Sequence, residues 1–332
     1  MEQIGHKMTP EMAAKIAYVG QFSSSFKDAA ECFDYVAGQY ISSSLIRQVT
    51  EETGKKVDEE QRESAKQAYA KPEEAVPAVL PKDRKSGTLY VMTDGSQVNT
   101  RKEDKEGSTW KEMKLGLVYN NAQIRTRKSG QAILTDKEYV THFGGVNEFK
   151  PLLFNTAVNA GYGTYEHTAF IGDGAIWIWN LADEMFPDAV QVLDYYHMSE
   201  NVHDYAKYLY PSDEAEMKQW ASAVIANVES GKIDEAIQMI PTLSQKKLPS
   251  GVPNLPVYLE NNRNRMNYNE LEERGFKVGS GAVESGNKKV IQQRMKQSGM
   301  RWNMGTGQSI AALRAKSASG RWKDVEHLLN VS

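Results

Sequence analysis

Three carboxylates stand out because each lies in a run of apolar or small residues, and two of them are followed directly by glycine. Asp94 ends the apolar run "TLYVMTD", Asp173 ends "HTAFIGD", and Glu284 stands alone in "GSGAVESGN". Two carboxylates at neighbouring strand ends do not both ionise comfortably without a cation between them. Oxygen ligands of this kind suit Mg²⁺, and Mn²⁺ can substitute for it. Two such ions, about 3.5–4 Å apart, can clamp the attacking and leaving oxygens of phosphoryl transfer.

The combination therefore predicts a nuclease-like site that binds two metal ions. Asp94, Asp173 and Glu284 are the candidate metal ligands and catalytic residues. A single Asp-Gly is usually only a turn, so the prediction depends on all three residues occurring together.

Asp194 is a rival for the second aspartate of this site. It ends the candidate strand within "DAVQVLDYYH", and His197 follows three residues later. Such a pair can bind a metal, orient a phosphate or form a structural hydrogen bond. The sequence favours Asp173 as the ligand, keeps Asp194 as the alternative, and leaves His197 either structural or near the site.

A basic stretch follows Glu284 directly. From Ser285 to Lys323 the chain has nine Lys or Arg and no Asp or Glu, although the net charge of the protein is −3. This asymmetry favours a surface that faces a polyanion. Phosphate contacts of this kind set affinity and salt dependence more than sequence choice. The candidates are Lys288, Lys289, Arg294, Lys296 and Arg301. Trp302, in the same stretch, could stack on a base, but a core position is the favoured interpretation.

The N-terminal segment has the pattern of short helices. "TPEMAAKIAYVG" offers Thr9 as N-cap and Pro10 at the first helical position, and a second helix and a third follow. Two short helices joined by a tight turn match a helix-turn-helix, whose second helix enters the major groove. Ser43, Ser44, Arg47 and Gln48 would then face DNA. An ordinary helical hairpin explains the same pattern.

The middle of the chain predicts a mixed α/β sheet that positions the carboxylates. Apolar runs rich in β-formers alternate with helical patterns such as "AIWIWNLADEMF", and a helical stretch follows. We expect five segments. They are a helix-turn-helix region at 1–70, a linker at 71–86, the first part of a catalytic core at 87–198, a helical insertion at 199–275, and the C-terminal part of the core at 276–332.

Composition excludes several classes of protein. The chain has 332 residues, 40% of them hydrophobic, and no apolar run long enough to span a membrane. Its N-terminus does not have the pattern of a signal peptide. The single cysteine, Cys32, rules out a disulfide framework within one chain, and its helical context predicts a core position. We therefore expect a cytoplasmic, nucleoid-associated protein with no membrane partner.

Several long motifs resemble a known group of enzymes. These motifs are "TDGSQV", "GSTWKEMKLGLVY", "IGDGAIWIWNLADEMFPDAVQVLDYYH", "NRNRMNY" and "VGSGAVESGNKKVIQQRMKQSGMRWN". They resemble the bacterial insertion-sequence transposases of the ISKra type, in the Mutator-like branch of the DDE transposases, from about residue 5 to 325. The resemblance implies an RNase H-like catalytic domain with a helical insertion before the last acidic residue.

The same resemblance implies what the site would do. Asp94, Asp173 and Glu284 would form the DDE triad that binds two Mg²⁺, and Asp194 with His197 matches a Cys- or Asp-x-x-His motif of that branch. The implied partners are terminal inverted repeats and target DNA, bound by a homodimer or larger assembly. Two alternatives stay open. One is another RNase H-like nuclease or resolvase, and the other is a non-enzymatic helix-turn-helix regulator.

Overall fold

The computed structural model describes residues 8–103, 107–128, 132–241 and 248–331. The strands are β1 Lys85–Asn99, β2 Trp110–Asn120, β3 Ile124–Thr126, β4 Ala132–Leu134, β5 Glu138–Phe143, β6 Tyr165–Gly172 and β7 Val190–Leu193. The first helices are α1 Pro10–Phe22, α2 Phe26–Ala37, α3 Ser43–Ala70, α4 Pro72–Ala75, α5 Val146–Asn159 and α6 Ile176–Met185. The next are α7 Tyr195–Leu209, α8 Glu214–Glu229, α9 Ile233–Gln238, α10 Leu255–Asn261 and α11 Tyr268–Glu273. The last are α12 Gly281–Asn287, α13 Gln293–Met295, α14 Met304–Ala318 and α15 Trp322–Val331.

A five-stranded mixed sheet flanked by helices forms the centre of the fold. Its strand order is β5-β2-β1-β6-β7. β1 and β5 both pair with β2 in antiparallel fashion, and β6 pairs with β7 in parallel. β3 and β4 form a separate two-stranded sheet. The mixed α/β class predicted from the sequence is confirmed. Within the described ranges, no helix has both the length and the apolarity that crossing a bilayer requires.

The chain forms two compact units. Unit 1 comprises the described residues of Met1–Thr168 and Ala282–Ser332, and unit 2 is Ala169–Gly281. One boundary between them falls inside strand β6, and the other falls after the first residue of helix α12. These two elements therefore belong to both units.

The N-terminal helices begin where their capping residues predict. Thr9 caps α1 by accepting a hydrogen bond from the Met12 amide, and Ser42 caps α3 by accepting one from Leu45. α3 runs for 28 residues, far longer than one helix of a small hairpin. Its buried face shares a core with α1, α2 and the C-terminal helices α14 and α15. The three N-terminal helices therefore pack within unit 1 and have no core of their own.

Three local expectations from the sequence need correction. β1 does not end at Asp94 but continues to Asn99, because β2 supplies a partner for every residue up to the pair Asn99 and Trp110. Gly95 stays in the strand, where an added Cβ would overlap the carboxylate of Glu112. The strand of "DAVQVLDYYH" ends at Leu193, and the residues after Asp194 begin α7. Cys32 is exposed instead of buried.

Candidate metal centre and nucleic-acid interface

The two rival aspartates of unit 2 lie side by side at the ends of parallel strands. Gly172 of β6 and Leu193 of β7 are paired, and they are the last residues of their strands. The Asp194 amide donates to the Gly172 carbonyl at 2.8 Å. Asp173 follows directly after β6 and Asp194 directly after β7, so both residues lie at the same edge of the sheet. Ligand sites of α/β sheets form at this edge, where strands end and the chain turns away.

The carboxylate of Asp194 is fully engaged by the protein. The side chain is 0% exposed. Its Oδ1 accepts from the Ser280 amide at 2.7 Å and the Tyr196 amide at 3.4 Å. Its Oδ2 accepts from the amide of His197 at 3.1 Å and contacts the ring Nδ1 of the same residue at 2.5 Å. A carboxylate has about four lone-pair sites, so these contacts account for its capacity.

Two opposing effects act on the pKa of Asp194. Burial raises the pKa, but hydrogen bonds from His197 and Ser280 outweigh burial and hold it below the usual value. The residue is therefore ionised at neutral pH. It caps the N-terminus of α7, where a negative charge is favourable.

Asp194 also orients His197. The hydrogen bond to Asp194 assigns the ring proton of a neutral His197 to Nδ1. In this tautomer Nε2 carries a lone pair that points away from the carboxylate. A carboxylate behind a histidine fixes the ring and raises its basicity in many metal sites. The His197 side chain is 36% exposed.

Asp173 is far less constrained than Asp194. Its carboxylate accepts one hydrogen bond from the described residues, from the Ala175 amide at 2.9 Å, and the residue is half-buried. The Tyr258 hydroxyl donates to its main-chain carbonyl at 3.3 Å. Burial raises the pKa of Tyr258, and the charges of Asp173 and Asp194 raise it further, so this phenol stays protonated as a donor. No pattern in the sequence pointed to Tyr258.

In unit 1, Asp94 is tied to the helix that carries Glu284. Asp94 Oδ1 accepts from the Gly95 amide at 2.7 Å, and Oδ2 accepts from the side-chain amide of Asn287 at 2.5 Å. Asn287 is buried in α12, and Glu284 lies one turn earlier on the same helix face. Glu284 is exposed. Asn287 was not predicted as a site residue, although its position three residues after Glu284 was a usable signal.

Glycine lets α12 lie close to the sheet. An added Cβ at Gly286 would overlap the ring of Tyr139 on β5, whereas one at Gly281 would meet nothing within 4 Å. Gly286 therefore makes room for the protein's own sheet, directly before Asn287 in the same helix.

Asp194 and His197, both in unit 2, offer a carboxylate oxygen and an imidazole nitrogen, two kinds of atom that metal ions bind. The donor set is compatible with a divalent metal, since carboxylate oxygens suit Mg²⁺ and Mn²⁺ and imidazole suits transition ions. Asp194 can serve as a ligand only by releasing one of its hydrogen bonds, so we regard it as the residue that orients His197.

The basic stretch after Glu284 divides into exposed and buried members. Lys288, Lys289, Lys296 and Arg301 are exposed. Arg294 is 2% exposed and its guanidinium lies between the rings of Phe26 and Trp302, 5.1 Å from each. Arg294 therefore does not fit the phosphate contact expected of it, because it cannot reach solvent in this conformation. Trp302 is buried, so the core interpretation holds.

Two further cations lie near this surface without being close to it in sequence. Lys137 comes directly before β5. Burial lowers the pKa of Lys137, and the positive charge of Lys289 lowers it further. Arg101 donates from its main chain to the carbonyl of Trp302 at 2.9 Å. Sequence spacing contained no signal for either contact, since each joins segments from opposite halves of the chain.

The face of α3 expected to read DNA is exposed but not basic. Ser44, Arg47 and Gln48 are exposed, and Ser43 is half-buried. Arg47 lies 3.8 Å from Glu51, and Gln48 donates to Glu52 at 2.9 Å. This face therefore has more negative than positive charge, which is unfavourable next to a phosphate backbone.

Comparisons with known proteins give a family but no function. One solved structure similar to this chain is the Drosophila P element transposase strand transfer complex, with 8% identity over 98% of this chain and 83% of that one. Its TM-score is 0.32, which supports no inference about fold or function. No curated protein matches the sequence significantly. A family model matches residues 4–328, and the protein belongs to this family, the uncharacterised protein family UPF0236.

Proposed function

We propose that the protein is a DDE transposase that cleaves DNA at transposon ends and transfers the freed strand into target DNA. The observation that carries the proposal is the hydrogen bond from Asn287 to Asp94, because it ties the carboxylate of β1 to the helix of Glu284. Asp173 leaves the sheet at the end of β6, the neighbour of β1 in the strand order. Three carboxylates on these elements form a suitable ligand set for two Mg²⁺.

We assign separate roles to the two rival aspartates. Asp94, Asp173 and Glu284 are the proposed metal ligands. Asp194 is the proposed positioning residue, since its four hydrogen bonds leave it no capacity to spare, and it fixes His197 near the site. When bound, the metal ions would activate the attacking water or 3′-hydroxyl and stabilise the leaving oxygen. The protein supplies no covalent nucleophile in this scheme.

The fold and the charge distribution support the same proposal. Three antiparallel strands beside two parallel ones, in the order β5-β2-β1-β6-β7, agree with an RNase H-like core. Lys288, Lys289, Lys296 and Arg301 would hold the DNA backbone next to α12. The motifs of the ISKra-type enzymes extend over the same segments. The proposal also includes a helix-turn-helix at α2–α3, assembly as a dimer on paired ends, and a cytoplasmic location.

The test is a cleavage and joining assay on the full chain with Mg²⁺ or Mn²⁺. The DNA substrate carries the sequences that flank the reading frame, where the proposal expects short inverted repeats. Wild-type protein should nick these ends and join a pre-cleaved end to target DNA. Alanine variants of Asp94, Asp173 and Glu284 should each lose both activities by at least about 10³-fold, because each removes a ligand of the reacting centre. Asp188→Ala, which removes an exposed carboxylate of unit 2, is the matched control and should remain fully active.

The other functions give different results in this assay. Cleavage without joining of a pre-cleaved end would indicate a nuclease or resolvase. Specific DNA binding that persists in Asp94→Ala, with no cleavage by wild type, would indicate a regulator. Full activity of Asp173→Ala, with loss in a folded Asp194→Ala variant, would move the second metal ligand to Asp194.

A further inference from the structure

We propose that unit 2 also contains a nucleotide site, in which the guanidinium of Arg265 stacks on a nucleobase. A cavity of about 600 Å³ lies beside the end of β7 and helices α10 and α11. Its lining includes Gln191, Asn261, Asn264 and Arg265. This volume is in the range of small-molecule sites. Part of this lining comes from the motif "NRNRMNY", which the proposed metal site does not use.

Arg265 is held as a fixed, flat surface in the wall of this cavity. Its guanidinium lies 4.4 Å from the centre of the Trp179 ring, which supports one face of the group. Nε donates to the side chain of Gln191 at 2.7 Å, and Nη1 donates to the Asn261 carbonyl at 2.9 Å. Gln191 in turn donates to Asp183 at 2.6 Å. A guanidinium that is already immobilised loses little entropy when a ligand stacks on it.

Charge distinguishes Arg265 from the other two arginines of the lining. Arg263 is paired with Asp234 at 2.8 Å and Glu260 at 2.6 Å, and Arg274 lies 3.5 Å from a carboxylate oxygen of Glu270. Arg265 forms no ion pair with a carboxylate of the described residues. Arg265 is thus the one arginine of this lining that no carboxylate of the described residues pairs with, which suits a single nucleotide better than a run of DNA backbone.

The remaining groups of the lining suit the edge of a base. Guanidinium planes are common stacking partners for unstacked bases in single strands. Asn261 and Asn264 are exposed and bring amide donors and acceptors, which can pair with base edges. Trp179 is 6% exposed, so the ligand contacts Arg265 and not the indole. In a DNA-cleaving enzyme, this site would hold a base that has left the duplex.

The inference is tested with the full chain and a single-stranded 8-nucleotide DNA that contains one 2-aminopurine. Binding to the protein slows the tumbling of this probe, so wild type should raise its fluorescence anisotropy, and deoxynucleoside monophosphates should compete. Arg265→Lys keeps the charge but removes the plane, and should weaken binding about tenfold. Asn264→Asp adds a negative charge at an exposed position, where substitutions usually change stability by less than about 0.5 kcal/mol, and should weaken binding by a similar factor. Lys218→Ala, an exposed cation of α8, should leave the affinity unchanged.

Three results would overturn the nucleotide site. They are the absence of a rise in anisotropy with wild type, unchanged affinity in both Arg265→Lys and Asn264→Asp, and displacement by inorganic phosphate as effective as by the monophosphates. The last would show a site for anions and not for bases. Binding of free nucleotides needs no cleavage activity, so these results are independent of the Asp173→Ala test.

Discussion

Replacing Asp194 with alanine should destabilise the protein far more than replacing Asp173 with alanine. Loss of an N-cap costs about 1 kcal/mol. Hydrogen bonds to a charged group contribute about 1.5–3 kcal/mol each, and Asp194 receives two short ones, from Ser280 and from the His197 ring. Because such terms are not additive, we expect a total loss of about 4 kcal/mol. Asp173 accepts one hydrogen bond and is half-buried, so its alanine variant should lose about 1 kcal/mol.

The assay is urea unfolding of both variants at pH 7, followed by circular dichroism, with Asp188→Ala as the exposed control. The pH dependence gives a second measurement. The folded pKa of Asp194 is depressed, so its stabilisation is present above the usual value of 3.8 and is lost as pH falls through the folded pKa. The gap between wild type and Asp194→Ala should therefore shrink below about pH 4.

This reasoning fails if Asp194→Ala loses less than about 1 kcal/mol, because the hydrogen bonds would then contribute almost nothing. It also fails if the two alanine variants lose the same stability. A stable Asp173→Ala variant that has lost cleavage activity would separate the ligand from the positioning residue. A stable and inactive Asp194→Ala variant would contradict that assignment.

The packing of unit 1 leads to three further predictions. Asn287→Asp places a second carboxylate against Asp94 and should lower stability by about 3 kcal/mol at pH 7. This deficit should shrink in acid, because two neighbouring carboxylates raise each other's pKa and become protonated. An equal deficit at all pH values would contradict the prediction. Gly286→Ala should cost about 1–3 kcal/mol in urea unfolding because the methyl group overlaps Tyr139, whereas Gly281→Ala, in open space, should be neutral or slightly stabilising. Burial, followed by the charge of Arg62, lowers the pKa of His142 from 6.5 to about 4. The unfolded chain therefore binds a proton that the folded protein does not, so stability should fall by about 3 kcal/mol from pH 7 to 4, and His142→Gln should remove this part of the pH dependence.

Much of the fold was predictable because its signals are local. Thr9 and Ser42 capped the expected helices, and "AIWIWNLADEMF" formed α6 as its pattern indicated. The strand ending at Asp94 was misjudged because glycine usually ends a strand. Gly95 stays in β1 because β2, which is distant from it in the local sequence, supplies a partner for every residue up to Asn99. No pattern within "VMTDGS" contains that information.

The candidate site was predictable in its residue types but not in their roles. Asp173 and Asp194 both follow apolar strand patterns, and the sequence ranked them without separating them. A contact that separates them is the hydrogen bond from the Ser280 amide to the carboxylate of Asp194. Ser280 lies 86 residues beyond Asp194 in the chain. Arg294 shows the same limit, because a basic stretch predicts exposure and only packing between Phe26 and Trp302 makes this member a core residue.

The sequence by itself determined the mixed α/β class, the helix starts and the presence of carboxylates at strand ends, since these depend on neighbours a few residues apart. Tertiary structure decided that Asn287 meets Asp94, that the Ser280 amide donates to Asp194, and that Arg265 lies over the ring of Trp179. Each of these contacts joins segments that are distant in the sequence. The energy of such contacts depends on distance and burial in space, which the order of residues does not specify.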